Sequence, residues 1–172
     1  MSPFIETIRI ENGQIHNLPY HNRRMNETRR DVLHQTGFLD LSDCIQPGDY
    51  RERTKCRVEY DKDILKVEYA SYHIRPVSSL RLVADDEADY RYKSTDRSVL
   101  NRLFDLRETE DDVLIVRRGW LTDTSICNIA LWNGKQWITP SVPLLAGTKR
   151  ASLLDRGEMV AGDIRPEDLP GY

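Results

Sequence analysis

The sequence predicts an α+β fold, and three observations carry that prediction. Asn-Gly pairs at Asn12-Gly13 and Asn133-Gly134 each sit between short apolar runs, the strongest local signal for a β-hairpin, because both central residues accept positive φ. Between and beyond these runs lie three segments with helical starts rather than strand alternation. A stretch of proline and serine, "RPVSS" at 75–79, punctuates the middle of the chain. The order of elements gives two parts: a small N-terminal α/β lobe over 1–75 and a larger C-terminal lobe over 76–172.

Each element has its own warrant. "FIETIRIENGQIHNL" alternates around Asn12-Gly13 and reads as the first hairpin. Pro19 then suits the first turn of a helix, since its missing N–H would be unpaired there anyway, and the helix runs to Gly37 as its C-cap. Tyr20, Met25 and Val32 mark its buried side, with the arginines mostly elsewhere. "TKCRVEYDKDILKVEYASYHI" gives two strands around Asp61-Lys62-Asp63. After the linker, "LRLVADD" is a strand, and Ser94 or Thr95 caps a helix whose apolar side is Val99, Leu100, Leu103, Phe104 and Leu106. "DVLIVRRG" is a strand, "NIALWNGKQWITP" the second hairpin, and "GTKRASLLDRG" a glycine-led helix.

The composition excludes several classes. With 39% hydrophobic and 31% charged residues, the 172-residue chain reads as a soluble globular protein. A net charge of −3 provides no field for nucleic acid or anionic membranes. No run approaches the roughly 18 apolar residues of a membrane span, and "MSPFIETIRI" is not a signal peptide. Cys44, Cys56 and Cys127 show no paired spacing and suit a reducing cytoplasm; Cys127 is expected as a buried thiol in an apolar strand. No zinc spacing is present, so no metal is expected.

Four pieces remain, each with an ordinary reading of its own. Arg24 in "YHNRRM" suits a solvated basic helix face, and Lys93 in "YKSTDR" an exposed element boundary. Asp123 in "LTDTSICN" suits a turn, and Gly147-Thr148 plain helix capping. Together they form a narrower set. A guanidinium and a helix N-terminus bind phosphate, a lysine amine forms a Schiff base, and a carboxylate keeps a pyridine nitrogen protonated. These are the groups that pyridoxal 5'-phosphate requires.

In that order the segments resemble the class IV aminotransferases, the fold-type-IV pyridoxal-phosphate enzymes. "FIETIRIENGQI" is similar to the family's FET-R-x-x-G strand pair, and "YHNRRM" to its H-x-x-R-L helix, whose arginine binds phosphate. "LTDTSICNIALWNGKQWITP" resembles T-E-x-x-x-x-N-(I/L)-F followed by a hairpin and T-P, with Asp123 at the pyridine-binding glutamate and Asn128 at the asparagine. "LLAGTKRASLL" resembles L-x-G-x-T-R-x-x-L with one residue fewer, which makes Thr148 the match to the phosphate-binding threonine. "YKSTDRSVLNRL" places Lys93 at the Schiff-base position, and its K-x-x-(N/D)-R pattern is that of the aminodeoxychorismate lyases. The family's first strand and its usual C-terminal Asn-Ala strands have no counterpart, which implies a two-lobed fold like that of D-amino acid aminotransferase, shortened at the N-terminus, with the C-terminus left open.

The resemblance implies a cofactor site of Arg24, Lys93, Asp123, Gly147 and Thr148, with Thr124 or Ser125 near the phosphate and Lys93 as the catalytic residue. Asp123 then lies in a loop aimed at the ring nitrogen, one methylene shorter than the family's glutamate. Burial and nearby Arg24 or Arg97 would favour a neutral Lys93. The implied activity is a lyase converting 4-amino-4-deoxychorismate to 4-aminobenzoate and pyruvate in folate precursor synthesis. A transaminase of branched-chain or D-amino acids and a non-catalytic relative are the alternatives. A cytoplasmic homodimer acting on a small molecule completes the expectation, with no nucleic acid or membrane partner.

Overall fold

The computed structural model describes residues 2–48 and 50–172. The chain divides into two compact units, one running to Arg75 and including Tyr92–Asp96, the other comprising Pro76–Arg91 and Arg97–Tyr172.

In the first unit β1 (Phe4–Glu11) and β2 (Gln14–Ile15) form the first hairpin, with Asn12 and Gly13 at φ 52° and 70° as their turn requires. α1 (Leu18–Leu33) follows, with a proline in its first turn. It ends four residues before the expected Gly37, because His34 already adopts the left-handed conformation and returns its N–H to the Arg29 carbonyl. β3 (Thr54–Tyr60) and β4 (Ile64–Ser71) complete an antiparallel sheet of order β2-β1-β3-β4. Strand alternation sends Phe4, Ile8 and Ile10 to the same side as Cys56, Val58 and Tyr60, where they bury Met25 of α1. Two arginines depart from the expected solvated face. Arg29 is buried, donating to the carbonyls of Lys62 and Gly37, and Arg24 is half-buried.

The Lys93 segment was expected in the C-terminal lobe, and its packing corrects that. Ser94 bridges Phe4, Ile5 donates its N–H to the Lys93 carbonyl at 2.8 Å, and Thr95 donates N–H and hydroxyl to the Pro3 carbonyl. Tyr92 also meets Phe4 edge to face. Backbone pairing along the start of β1 therefore draws Tyr92–Asp96 into the first unit.

The second unit begins with β5 (Leu80–Ala84) and α2 (Ser98–Asp105). Ser94 and Thr95 do not cap α2; their hydroxyls serve Asp96 and Pro3, and Arg97 occupies the cap position. Leu100 and Leu103 are buried, whereas Leu106 lies past the helix and is exposed. α2 connects β5 to the parallel β6 (Asp112–Arg117), and a two-residue Arg118-Gly119 turn of positive φ returns the chain as β7 (Trp120–Thr124). β7 corrects the expected loop: Thr122, Asp123 and Thr124 are buried strand residues. β8 (Leu131–Trp132) and β9 (Trp137–Pro140) form the second hairpin, whose turn is four residues long, with Asn133 Oδ1 accepting the N–H groups of Lys135 and Gln136. α3 (Thr148–Asp155) and β10 (Val160–Gly162), parallel to β9, follow. Among the described residues no helix is long and apolar enough to cross a membrane.

Candidate active site

The first unit carries Arg24 and Lys93. Glu6 shares the inner face of β1 with Phe4, Ile8 and Ile10, so the period of the strand buries a carboxylate in an apolar layer. His21 and Arg24, three residues apart on α1, reach it from one helix face. Arg24 donates through Nε to Glu6 Oε1 at 2.9 Å and through Nη2 to Oε2 at 2.6 Å, and His21 Nδ1 lies 2.6 Å from Oε2. Burial alone would raise the Glu6 pKa; the Arg24 charge and the hydrogen bonds from His21 and Arg24 outweigh it and hold the carboxyl below its ordinary range. The Arg24 guanidinium is thus a fixed plane in a two-point fork rather than a mobile surface charge. Lys93 is half-buried, and its carbonyl is pinned to Ile5, the β1 residue next to Glu6.

The second unit carries the rest. Asp123, at the end of β7, is buried; Oδ1 accepts from Asn128 Nδ2 at 2.8 Å and Oδ2 from the Leu145 N–H at 2.9 Å. Burial pushes its carboxyl up from the ordinary 3.8 to about 6, against the pull of Asn128, Leu145 and the Arg150 charge. The Thr124 hydroxyl closes its own turn, accepting from the N–H groups of Ile126 and Cys127. Ser125 is buried, its N–H given to Asp112 Oδ1 and its carbonyl taken by Arg97 Nη2 at 2.7 Å. Cys127, expected to be buried, is exposed. Gly147 is the N-cap of α3 and Thr148 its first residue; Arg150 ties that helix to β9 through Thr139 Oγ1 and the Pro140 carbonyl.

The sequence reading missed Glu6, His21 and Arg150. For Glu6 a signal existed: in "FIETIRI" it falls on the apolar side of a period-2 pattern, where a lone carboxylate requires a cationic partner.

Comparison with known proteins agrees with this architecture. Residues 55–170 match the family model described as amino-transferase class IV. An uncharacterized protein of Haemophilus influenzae is 33% identical over 176 residues, spanning 100% of this chain and 94% of its own length. The crystal structure of a "putative 4-amino-4-deoxychorismate lyase" from Haemophilus somnus is 33% identical, with a TM-score of 0.93 over 100% of this chain and 92% of that one. A hypothetical aminotransferase from Mycobacterium tuberculosis in its PLP-bound form shares the fold alone, at 15% identity and TM-score 0.74 over 98% of this chain and 74% of that one. The chain belongs to the class IV aminotransferase family, with its fold-type-IV architecture. Within that family the chain is similar over its full length to the Haemophilus somnus protein described as an aminodeoxychorismate lyase.

Pyridoxal 5'-phosphate is the cofactor that this family implies, and the residues present fit it. The chain supplies a lysine, a guanidinium held in plane by a buried carboxylate, a helix N-terminus opening on threonine, and a buried carboxylate steadied by two N–H donors.

Proposed function

We propose that this protein is a pyridoxal-phosphate-dependent lyase that converts 4-amino-4-deoxychorismate to 4-aminobenzoate and pyruvate, as a cytoplasmic homodimer. The observation that carries the cofactor half of this reading is the buried Asp123 carboxylate, held by Asn128 and Leu145 at the position whose sequence resembles the family's pyridine-binding glutamate segment. The lyase half rests on the full-length likeness to the Haemophilus somnus protein and on the "K-x-x-(N/D)-R" pattern at Lys93.

When bound, pyridoxal 5'-phosphate supplies an aldehyde for amine attachment and a ring that accepts the electron pair left by proton removal. Lys93 would hold the cofactor through its amine, and its Nζ would remove the proton from the amino-bearing carbon of the substrate. Asp123 places negative charge at the ring nitrogen. Arg24 and Thr148 bind the phosphate, with Glu6 holding the guanidinium for that contact. Pyruvate leaves the adjacent carbon, and formation of the aromatic ring drives the reaction forward.

The test combines the chain, cofactor and 4-amino-4-deoxychorismate, and follows 4-aminobenzoate fluorescence together with pyruvate. Both products are expected in equal amounts without any keto acid. Turnover that instead needs a keto acid would replace the lyase with a transaminase. Borohydride reduction and peptide mapping should place the cofactor on Lys93; a label on Lys135 or Lys149 would overturn the assignment.

A further inference from the structure

Asn128 makes contacts that reach two parts of the proposed site at once. Its Nδ2 donates to Asp123 Oδ1 at 2.8 Å and to the Leu145 carbonyl at 2.8 Å, while the Leu145 N–H goes to Asp123 Oδ2. Both polar backbone groups of Leu145 are therefore held by the Asp123–Asn128 pair. Two residues further on, a Cβ added to Gly147, the N-cap of α3, would lie 1.9 Å from Asn128 Oδ1. No side chain fits there while the amide stays in place, so the close approach of Asn128 to the cap depends on glycine. The base of the arrangement is stiff as well: Asp123 and Asn128 form a β-bridge, and the Thr124 N–H meets the Cys127 carbonyl at 2.9 Å.

We propose that Asn128 is a positioning residue that sets the Asp123 carboxylate relative to the first turn of α3, so that one amide fixes both the ring-nitrogen contact and the phosphate contact of a single cofactor. The inference rests on the proposed cofactor role of Asp123 and Thr148. It adds that the two contacts are not independent: whatever displaces Asn128 misplaces both. Asp123 also faces the Arg150 charge from α3, which stays in place when Asn128 is changed and therefore does not substitute for the amide.

Two probes separate this coupling from a simpler effect: pyridoxal 5'-phosphate and pyridoxal, which lacks the phosphate. Binding of each is measured by absorbance in wild type, Asn128→Ala and the near-isosteric Asn128→Leu, and the Asp123 carboxyl is titrated by carbon NMR in the same chains without cofactor. Removing the amide is expected to weaken pyridoxal 5'-phosphate roughly ten- to a hundredfold, the loss of a hydrogen bond to a charged group. It should weaken pyridoxal less, so that the advantage conferred by the phosphate shrinks. The Asp123 midpoint should rise above the wild-type value of about 6, since a donor to the anion is gone. An unchanged phosphate advantage, or a lowered melting temperature with an unmoved Asp123 midpoint, would overturn the proposal. If Asn128→Ala does not fold, Asn128→Leu decides by the same two readouts. If the wild-type chain binds neither probe, the proposed function falls and the positioning role falls with it; binding of both probes with an unchanged phosphate advantage overturns the positioning role alone.

Discussion

Ionising Asp123 in the cofactor-free protein should cost stability, and the cost can be read against pH. Its folded-state pKa of about 6 lies above the ordinary 3.8, with burial as the main cause. The sign follows directly. A group whose pKa is raised on folding contributes fully below the unfolded value and loses that contribution as pH rises through the folded one. The gap is a little over two pH units, which at 1.36 kcal/mol per unit corresponds to about 3 kcal/mol. Asp123→Asn removes the titration. It also turns the amide nitrogen toward one of the two N–H donors, but that penalty does not vary with pH, so it shifts the comparison without changing its slope. All three tryptophans, Trp120, Trp132 and Trp137, belong to the second unit, so urea unfolding followed by tryptophan fluorescence reports on the unit containing Asp123. Wild type should lose about 2 kcal/mol of this relative to the variant between pH 4 and pH 7, with groups that titrate in both chains cancelling. Parallel pH curves for the two proteins would refute the reasoning and place Asp123 in a solvated or fully compensated environment.

Two further outcomes follow from contacts in the structure. Glu6→Ala leaves Arg24 and His21 facing an apolar layer and should cost about 3–5 kcal/mol by circular dichroism at neutral pH. Because the Glu6 pKa is depressed, its contribution is present above the usual 4.5 and should vanish as pH falls through the lower folded value, bringing mutant and wild type together in acid. Gly147→Ala forces the Asn128 amide away from the helix cap and should lower stability by about 1.5–3 kcal/mol, the worth of a hydrogen bond to a charged group; a melting temperature equal to wild type would show that the amide relaxes without loss.

What the sequence disclosed and what it concealed divide along physical lines. The hairpin at Asn12-Gly13, the strands on either side of Asp61-Lys62-Asp63 and the helix opened by Gly147 depend on local turn chemistry and periodicity, and all three formed as expected. β7 was concealed because its polar residues are buried through bonds that only the folded chain creates. Thr122 donates to the Ile115 carbonyl, Asp123 is met by Asn128 and Leu145, and nothing in the local pattern reveals either pairing. The end of α1 was misplaced because His34 turns left-handed where glycine was the expected choice. Of the site, the positions of Arg24, Lys93, Asp123 and Thr148 came from ordered segments that resemble a family. Their supports, Glu6 for Arg24 and the Leu145 backbone for Asp123, depend on contacts that only the folded chain creates.

The excursion of Tyr92–Asp96 out of one unit and into the other has a consequence for how the protein is made. The chain enters the second unit at Pro76, leaves it after Arg91 to pair with β1, and re-enters at Arg97. The Thr95 contact to Pro3 joins residues 92 positions apart, so the first unit is finished only after more than half of the chain has been synthesised. A nascent chain released at the linker would lack the bridging segment Tyr92–Asp96 that covers the start of β1, leaving a sheet edge open to other chains. For the same reason, a cut within Pro76–Ser79 would not produce two independent fragments. The C-terminal piece would carry, between its own strand and helix, the segment that completes its neighbour, and fragment complementation would restore Lys93 to its place only by threading that piece back against β1.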